Sequence, residues 1–183
     1  MRTVLAILLA LCLSGCGDIY RYLKSGEVGW ELKKELRDRK TSRIELAKIT
    51  KFEWDEFFLF GPYQPTSEVC KRLALSTGDC KSVVTAESTD DGEMLMVFRL
   101  KRKVVHSEMH IRWHGDFTPV PEEPLTPQTA VFSVSVEGKS SLGEDWLKLR
   151  PISAAALTIH STGPAQTAAQ SGEFKRYASH DPR

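Results

Sequence analysis

The spacing of apolar residues between positions 94 and 114 constrains the fold of this chain more than any other feature. In the first half the apolar residues fall at even positions: Met94, Met96, Phe98 and Leu100. In the second half they fall at odd positions: Val105, Met109, Ile111 and Trp113. Successive side chains of a strand point to opposite faces, so one straight strand cannot change its apolar face halfway. The pattern therefore predicts an antiparallel hairpin with a turn or bulge near Arg102 and Lys103.

Other segments extend this prediction to an α+β domain. Val28, Leu32 and Leu36 have helical spacing and predict a helix with one apolar face within residues 27–40. The continuous apolar run Phe57–Phe60 predicts a strand that is buried on both faces. Further strands are predicted within residues 43–63, 129–137 and 146–149, and a short helix over residues 68–75. Together these elements predict an antiparallel sheet of about 5–6 strands with one or two helices packed on it.

The N-terminus has the pattern of an export signal. Arg2 precedes ten consecutive apolar residues, Val4–Leu13. A membrane-spanning helix needs about twenty such residues, so the run suits a signal peptide rather than a mature membrane helix. The next residues, Leu13-Ser14-Gly15-Cys16, resemble the lipobox of bacterial lipoproteins. The resemblance implies cleavage before Cys16 and attachment of acyl chains, palmitate among them, to that residue.

The lipobox resemblance also predicts the compartment. In enteric-type bacteria an Asp directly after the lipidated Cys marks retention in the inner membrane, whereas this chain has Gly17. The resemblance therefore implies the outer membrane, with the domain facing the periplasm. The chain has 25 Lys and Arg against 24 Asp and Glu. This balance argues against a dedicated nucleic-acid binder and against a polybasic membrane patch, so the lipid at Cys16 must supply the membrane contact.

Two cysteines of the predicted mature chain, Cys70 and Cys80, are predicted to form a disulfide. Export to an oxidising compartment favours the pairing, because Cys12 leaves with the signal and Cys16 is capped by lipid. The intervening Ser76–Asp79 segment is predicted to turn and bring the two sulfurs together. A redox pair usually has C-x-x-C spacing, and a metal site would need more ligands nearby.

The predicted organisation has four segments. They are a signal peptide at residues 1–15, a lipidated tether at 16–26, a single α+β domain at 27–150 and a disordered tail at 151–183. The tail prediction rests on composition, because the chain from Pro151 onward is rich in small and polar residues that offer little bulk for a core.

A basic and histidine-bearing strand face is the candidate binding surface. Its residues are Arg99, Lys101, Lys103, His106, His110 and Arg112. If the hairpin brings them to one side of the sheet, this face fits an anionic envelope component or an acidic patch of an envelope protein. The alternative is a solvated face whose charges keep the strand soluble and block edge pairing.

The histidines are the strongest candidates for chemistry, and strand geometry argues against a metal site. On a strand His106 and His110 lie roughly 13 Å apart, too far for one zinc ion. No metal and no cofactor are predicted. No nucleophile, zinc-protease or P-loop motif occurs in the chain. A carboxylate at Asp55 is predicted to serve a turn or cap rather than catalysis.

Two hypotheses for function follow from these features. The leading one is a non-enzymatic binding or accessory module anchored in the bacterial envelope. The alternative is a small metal-dependent or hydrolase-like periplasmic enzyme that uses the histidine-bearing strand face.

Overall fold

The structure, a computed structural model, describes residues 25–84 and 87–153. The predicted signal peptide, Cys16 and most of the predicted tether lie outside the described residues, as does the predicted tail from residue 154 onward. The compact unit that holds the described residues ends at Ser153. Its last strand continues to Pro151, one residue past the predicted end of the domain.

The described part of the chain is an α+β structure with antiparallel strands, as predicted. Its strands are β1 (Arg43–Glu45), β2 (Glu56–Phe60), β3 (Glu93–Leu100), β4 (Lys103–Ile111), β5 (Val131–Lys139) and β6 (Asp145–Pro151). Its α-helices are α1 (Glu27–Lys33), α2 (Leu46–Ile49), α3 (Thr66–Arg72) and α4 (Thr77–Val83). A π-helical turn, Lys34–Asp38, continues α1, and a 3-10 turn, Arg112–His114, follows β4.

The strands form two sheets rather than the single larger sheet that was predicted. The central sheet has the order β2–β3–β4, and the side sheet has the order β1–β5–β6. Both are antiparallel and three-stranded. Sequence alternation identifies strands one at a time and carries no information on which strands pair across long separations, so it could not divide them between two sheets.

The central sheet is buried on both faces by two separate apolar clusters. Toward α1 and the side sheet, the cluster includes Phe57, Leu59, Met94, Met96 and Phe98 together with Leu32 and Phe132. On the opposite face it includes Phe58, Phe60, Leu95 and Val97 with Val69 and Leu73 of the helical layer α3–α4. The face of β3 that carries Arg99, which the sequence predicts to be exposed, is therefore buried, because α3 and α4 cover it.

The hairpin predicted near Arg102 is confirmed. The β3–β4 turn places Lys101 and Arg102 at φ 51° and 66°, the left-handed conformations of a two-residue turn that matches strand twist. Asp55 supports this turn, because its Oδ2 accepts the backbone N–H of Lys101 at 2.8 Å. The expectation that Asp55 serves a turn is therefore also confirmed.

The long loop between His114 and β5 covers one free edge of each sheet. Asp116 bonds to the outer edge of β6 through the N–H of Leu149 and the carbonyl of Leu147. Further along, Leu125 forms an antiparallel bridge with Phe57 at the outer edge of β2. These contacts satisfy backbone groups that would otherwise be open to strand pairing with another chain.

The disulfide prediction is confirmed, but the intervening turn is not. Cys70 and Cys80 are bonded and join α3 to α4. The segment predicted as a turn begins helix α4 instead, because the Ser76 Oγ accepts the backbone N–H of Asp79 and caps the helix. The disulfide therefore ties together the two helices that cover one face of the central sheet.

Loss of the disulfide should lower the free energy of unfolding. We expect the double variant Cys70→Ala, Cys80→Ala to lose about 2–3 kcal/mol, because a short loop in the unfolded chain is no longer closed. Urea unfolding monitored by circular dichroism measures this loss. Reduction of the unsubstituted protein should reproduce the loss, and the reductant should leave the variant unaffected. Equal stability of the variant and the oxidised protein would contradict the expectation.

Candidate binding cleft and the buried polar network

A one-residue bulge decides where the histidines of β4 lie. Leu100 pairs with Lys103 and Arg99 with Val104, but Phe98 pairs with His106, so Val105 is the extra residue. A bulge of one residue moves every later side chain to the other face. It places His106 and His110 on the same face as Phe98, against α1, while Arg99 lies on the opposite face.

The predicted binding residues therefore do not form one exposed face. Arg99 is buried, bonds to Glu56 and donates to the carbonyl of Leu73. His110 is fully buried. Lys101 and Lys103 are exposed at the hairpin turn. Arg112, at the far end of β4, is held by ion pairing and is described below.

Glu108, which the sequence analysis did not single out, is the centre of the α1-facing side of β4. Its carboxylate is buried and accepts the backbone N–H groups of Val28 at 3.0 Å and Gly29 at 2.8 Å. Its Oε2 also lies 2.7 Å from His106 Nε2. Helix α1 has no side-chain cap of its own at Gly26, so Glu108 supplies from β4 the acceptor that the helix start requires.

Two glycines of the α1 segment make room for Glu108 and for the neighbouring Ser25. A Cβ on Gly26 would lie 2.4 Å from the Glu108 carboxyl carbon. A Cβ on Gly29 would lie 2.3 Å from the Ser25 Oγ. Both positions are therefore too close to their neighbours for any larger residue without movement of the helix or of the network.

His110 and His114 are buried neutral histidines. His110 Nε2 donates to the carbonyl of Gly115 at 2.7 Å, and His114 Nδ1 lies 3.0 Å from Ser25 Oγ. Burial lowers the pKa of His110. Burial, with smaller contributions from His110 and from Lys33, lowers the pKa of His114 to about 3. At neutral pH both rings are therefore uncharged.

Asp116 is the second buried charge of this region. Burial alone raises the pKa of its carboxyl, but hydrogen bonds from Arg112 and Lys148 outweigh that effect and hold the pKa well below its usual range. Trp146 Nε1 and the Thr118 hydroxyl donate to the same carboxylate. Asp116 thus binds the end of β4 to β6 through side chains as well as through its backbone.

The polar groups of this network lie in the interior of the domain. Ser25 and His114 resemble a nucleophile and base in their contact distance, yet both are buried and the depressed pKa of His114 makes it a weak base. Within residues 25–84 and 87–153 no three His, Cys, Asp or Glu side chains are placed to hold a metal ion. The network is best explained as a structural support for α1 and β4.

An open cleft lies beside this network, where the ends of the two sheets meet. It has a volume of about 290 Å³ and is lined by Asp90, Gly92, Glu93, Ile111, Trp113, Ser140, Ser141 and Trp146. The residues come from the start of β3, the end of β4, the β5–β6 loop and the start of β6. Aromatic walls with a few polar groups are typical of a small-ligand site.

Hydrogen bonds fix both indole rings of the cleft. Trp113 Nε1 donates to Glu144 Oε2 at 2.6 Å, and Trp146 Nε1 donates to Asp116 Oδ2 at 2.8 Å. Cations also pack on the rings, with the guanidinium carbon of Arg37 4.0 Å from the Trp113 centroid and that of Arg112 5.6 Å from the Trp146 centroid. The rings are therefore held in place before any ligand arrives.

A second groove, of about 360 Å³, lies between the end of α1 and the β5–β6 hairpin. It is lined by Leu36, Arg37, Lys40, Thr41, Ser42, Val134, Ser135, Val136, Asp145 and Leu147. It contains no aromatic side chain, so it offers no flat stacking surface.

Comparison of the chain with protein-family models, with curated proteins and with solved structures finds no match in any of the three. Among the described residues, no helix is long and apolar enough to cross a membrane.

Removal of the Glu108 carboxylate should destabilise the domain strongly. We expect Glu108→Ala to lower the free energy of unfolding by about 2–4 kcal/mol, because two buried N–H groups of α1 lose a charged acceptor. Glu45→Ala is the control, since Glu45 makes exposed ion pairs and its loss should cost less than about 1 kcal/mol. Urea unfolding measures both, and equal losses in the two variants would contradict the role of Glu108.

The stability of the domain should fall on mild acidification. The unfolded chain takes up a proton on each histidine below about pH 6.5, whereas the folded chain keeps His114 neutral down to a pKa of about 3. The unfolded state therefore binds more protons, and unfolding becomes easier as pH falls. His114→Gln should reduce the pH slope of the unfolding free energy by about 0.7 kcal/mol per pH unit at pH 6.5, rising to about 1.4 kcal/mol per pH unit near pH 5. An unchanged slope in urea titrations would show that His114 is protonated in the folded state.

Proposed function

We propose that the protein is a lipid-anchored lipoprotein of the bacterial envelope whose domain acts as a non-enzymatic binding module. The observation that carries the anchoring is the segment Leu13-Ser14-Gly15-Cys16 directly after a ten-residue apolar run. Ser14 and Gly15 are small enough for a signal peptidase, and the Cys16 thiol is the group that a diacylglycerol can modify. Acyl chains on Cys16 would bind the membrane stably, whereas one chain alone gives marginal binding.

The disulfide supports an exported location. Cys70 and Cys80 are bonded, and such bonds persist in oxidising compartments such as the periplasm. With Gly17 rather than Asp after Cys16, the outer membrane is the proposed destination. The domain would then face the periplasm on its tether.

The cleft between the two sheets supports a binding role. Trp113 and Trp146 are fixed by hydrogen bonds to Glu144 and Asp116, and the cleft is open beside them. The charged groups of the neighbouring network are occupied with each other or with α1. A ligand in the cleft would therefore meet a preformed surface rather than a reactive side chain.

Substitution of the proposed lipidated cysteine should abolish anchoring. We expect Cys16→Ser to remove labelling by a palmitate analogue and to prevent cleavage before residue 16, because serine has no thiol for the diacylglycerol. Labelling, intact mass and membrane fractionation measure the effect. Cys12→Ser is the matched control, since Cys12 lies in the segment removed with the signal, and it should leave labelling intact. Labelled and processed Cys16→Ser protein would refute the proposal.

A further inference from the structure

The cleft has the chemistry of a saccharide site, and we propose that it binds one neutral sugar ring of an envelope glycan between Trp113 and Trp146. This inference rests on the proposed binding function and names its ligand class. The volume of about 290 Å³ suits one pyranose ring, and the walls combine two indoles with hydroxyl and carboxyl groups. The C–H groups on one face of a pyranose pack against the negative face of an indole, and its hydroxyls require donors and acceptors at the rim.

The charges around the cleft select a neutral ligand. Asp90 and Glu93 are both acidic residues of its lining, which opposes an anion. Both indoles already carry a guanidinium group, Arg37 on Trp113 and Arg112 on Trp146, which opposes a second cation on the rings. A ligand without net charge avoids both penalties.

The polar groups of the rim suit hydroxyl ligands. Ser140 Oγ accepts the N–H groups of Leu142 and Glu144, so its hydroxyl hydrogen can be donated to a ligand. Asp90 accepts the N–H of Gly92 through Oδ1, and a carboxylate has two oxygens that accept several hydrogen bonds. Ser141 adds a further hydroxyl at the exposed side of the cleft.

The rigidity of the rings lowers the cost of binding. Each indole is fixed at its N–H edge by a carboxylate, so little side-chain entropy is lost when a ligand stacks on it. One ring of this size bound in an open cleft should have a Kd on the order of 1 mM.

The test uses the full mature chain in a polyoxyethylene detergent, because sugar-based detergents would compete. The probes are N-acetylglucosamine trisaccharide and a neutral, phosphate-free hexose oligosaccharide of the outer-core type, which represent amino-sugar glycan strands and outer-membrane saccharide. Tryptophan fluorescence should change saturably with at least one probe, and the probe that binds identifies the source. Sorbitol, an open-chain polyol without a ring, should produce no saturable change.

Matched substitutions locate the site. Ser141→Leu should weaken binding at least tenfold by filling the cleft, whereas Ser135→Leu, the same change in the second groove, should leave binding unchanged. If Ser141→Leu does not fold, as judged by circular dichroism, Trp113→Leu replaces it and should have the same effect. The inference is overturned if neither saccharide binds saturably, if sorbitol binds equally well, if Ser141→Leu (or Trp113→Leu in its place) binds like the unsubstituted protein, or if Ser135→Leu weakens binding as much. Cys16-dependent lipid labelling with no saccharide binding would leave the anchoring proposal in place and remove only this inference.

Discussion

The contact between Glu108 and the first turn of α1 is the interaction on which one whole face of the central sheet depends. Helix α1 begins without a side-chain cap, and a buried carboxylate without partners would be costly. The hydrogen bond from the Gly29 N–H to Glu108 gives the helix start an acceptor and the buried carboxylate a donor. The two residues are 79 positions apart in the sequence. Once α1 is fixed in this way, Val28, Leu32 and Leu36 are positioned to cover the sheet.

The bulge at Val105 is the backbone feature that makes this contact possible. With a regular ladder after the turn, Glu108 would point toward α3 and α4, where the surrounding side chains are apolar. The extra residue turns Glu108, His106 and His110 toward α1 together. Polar residues on alternating positions of β4 are thus interior residues, and Val105, an apolar residue, is 44% exposed.

Local sequence patterns predicted individual helices, strands and turns, but they could not predict contacts between segments that are distant in the sequence. The α1 spacing, the Phe57–Phe60 run and the β3–β4 turn each depend on neighbouring residues, and the structure agrees with all three. The face of the β4 histidines depended on a bulge stabilised by a helix about 80 residues earlier, so alternation alone predicted the wrong face.

The cleft could not be predicted, since its lining residues come from three distant segments without any common spacing.

The position of Ser25 relates the proposed anchor to the cleft. Ser25, the first described residue, contacts His114, and the neighbouring Trp113 lines the cleft, so the described chain begins at the cleft end of the domain. Ser25 lies nine positions after Cys16, and an extended chain over nine steps spans at most about 30 Å. Under the proposed anchoring, the cleft is therefore held close to the bilayer, among the saccharides of the envelope. If the proposed glycan is attached to the same bilayer, a short tether gives an effective concentration of about millimolar, which matches the millimolar affinity expected of the cleft.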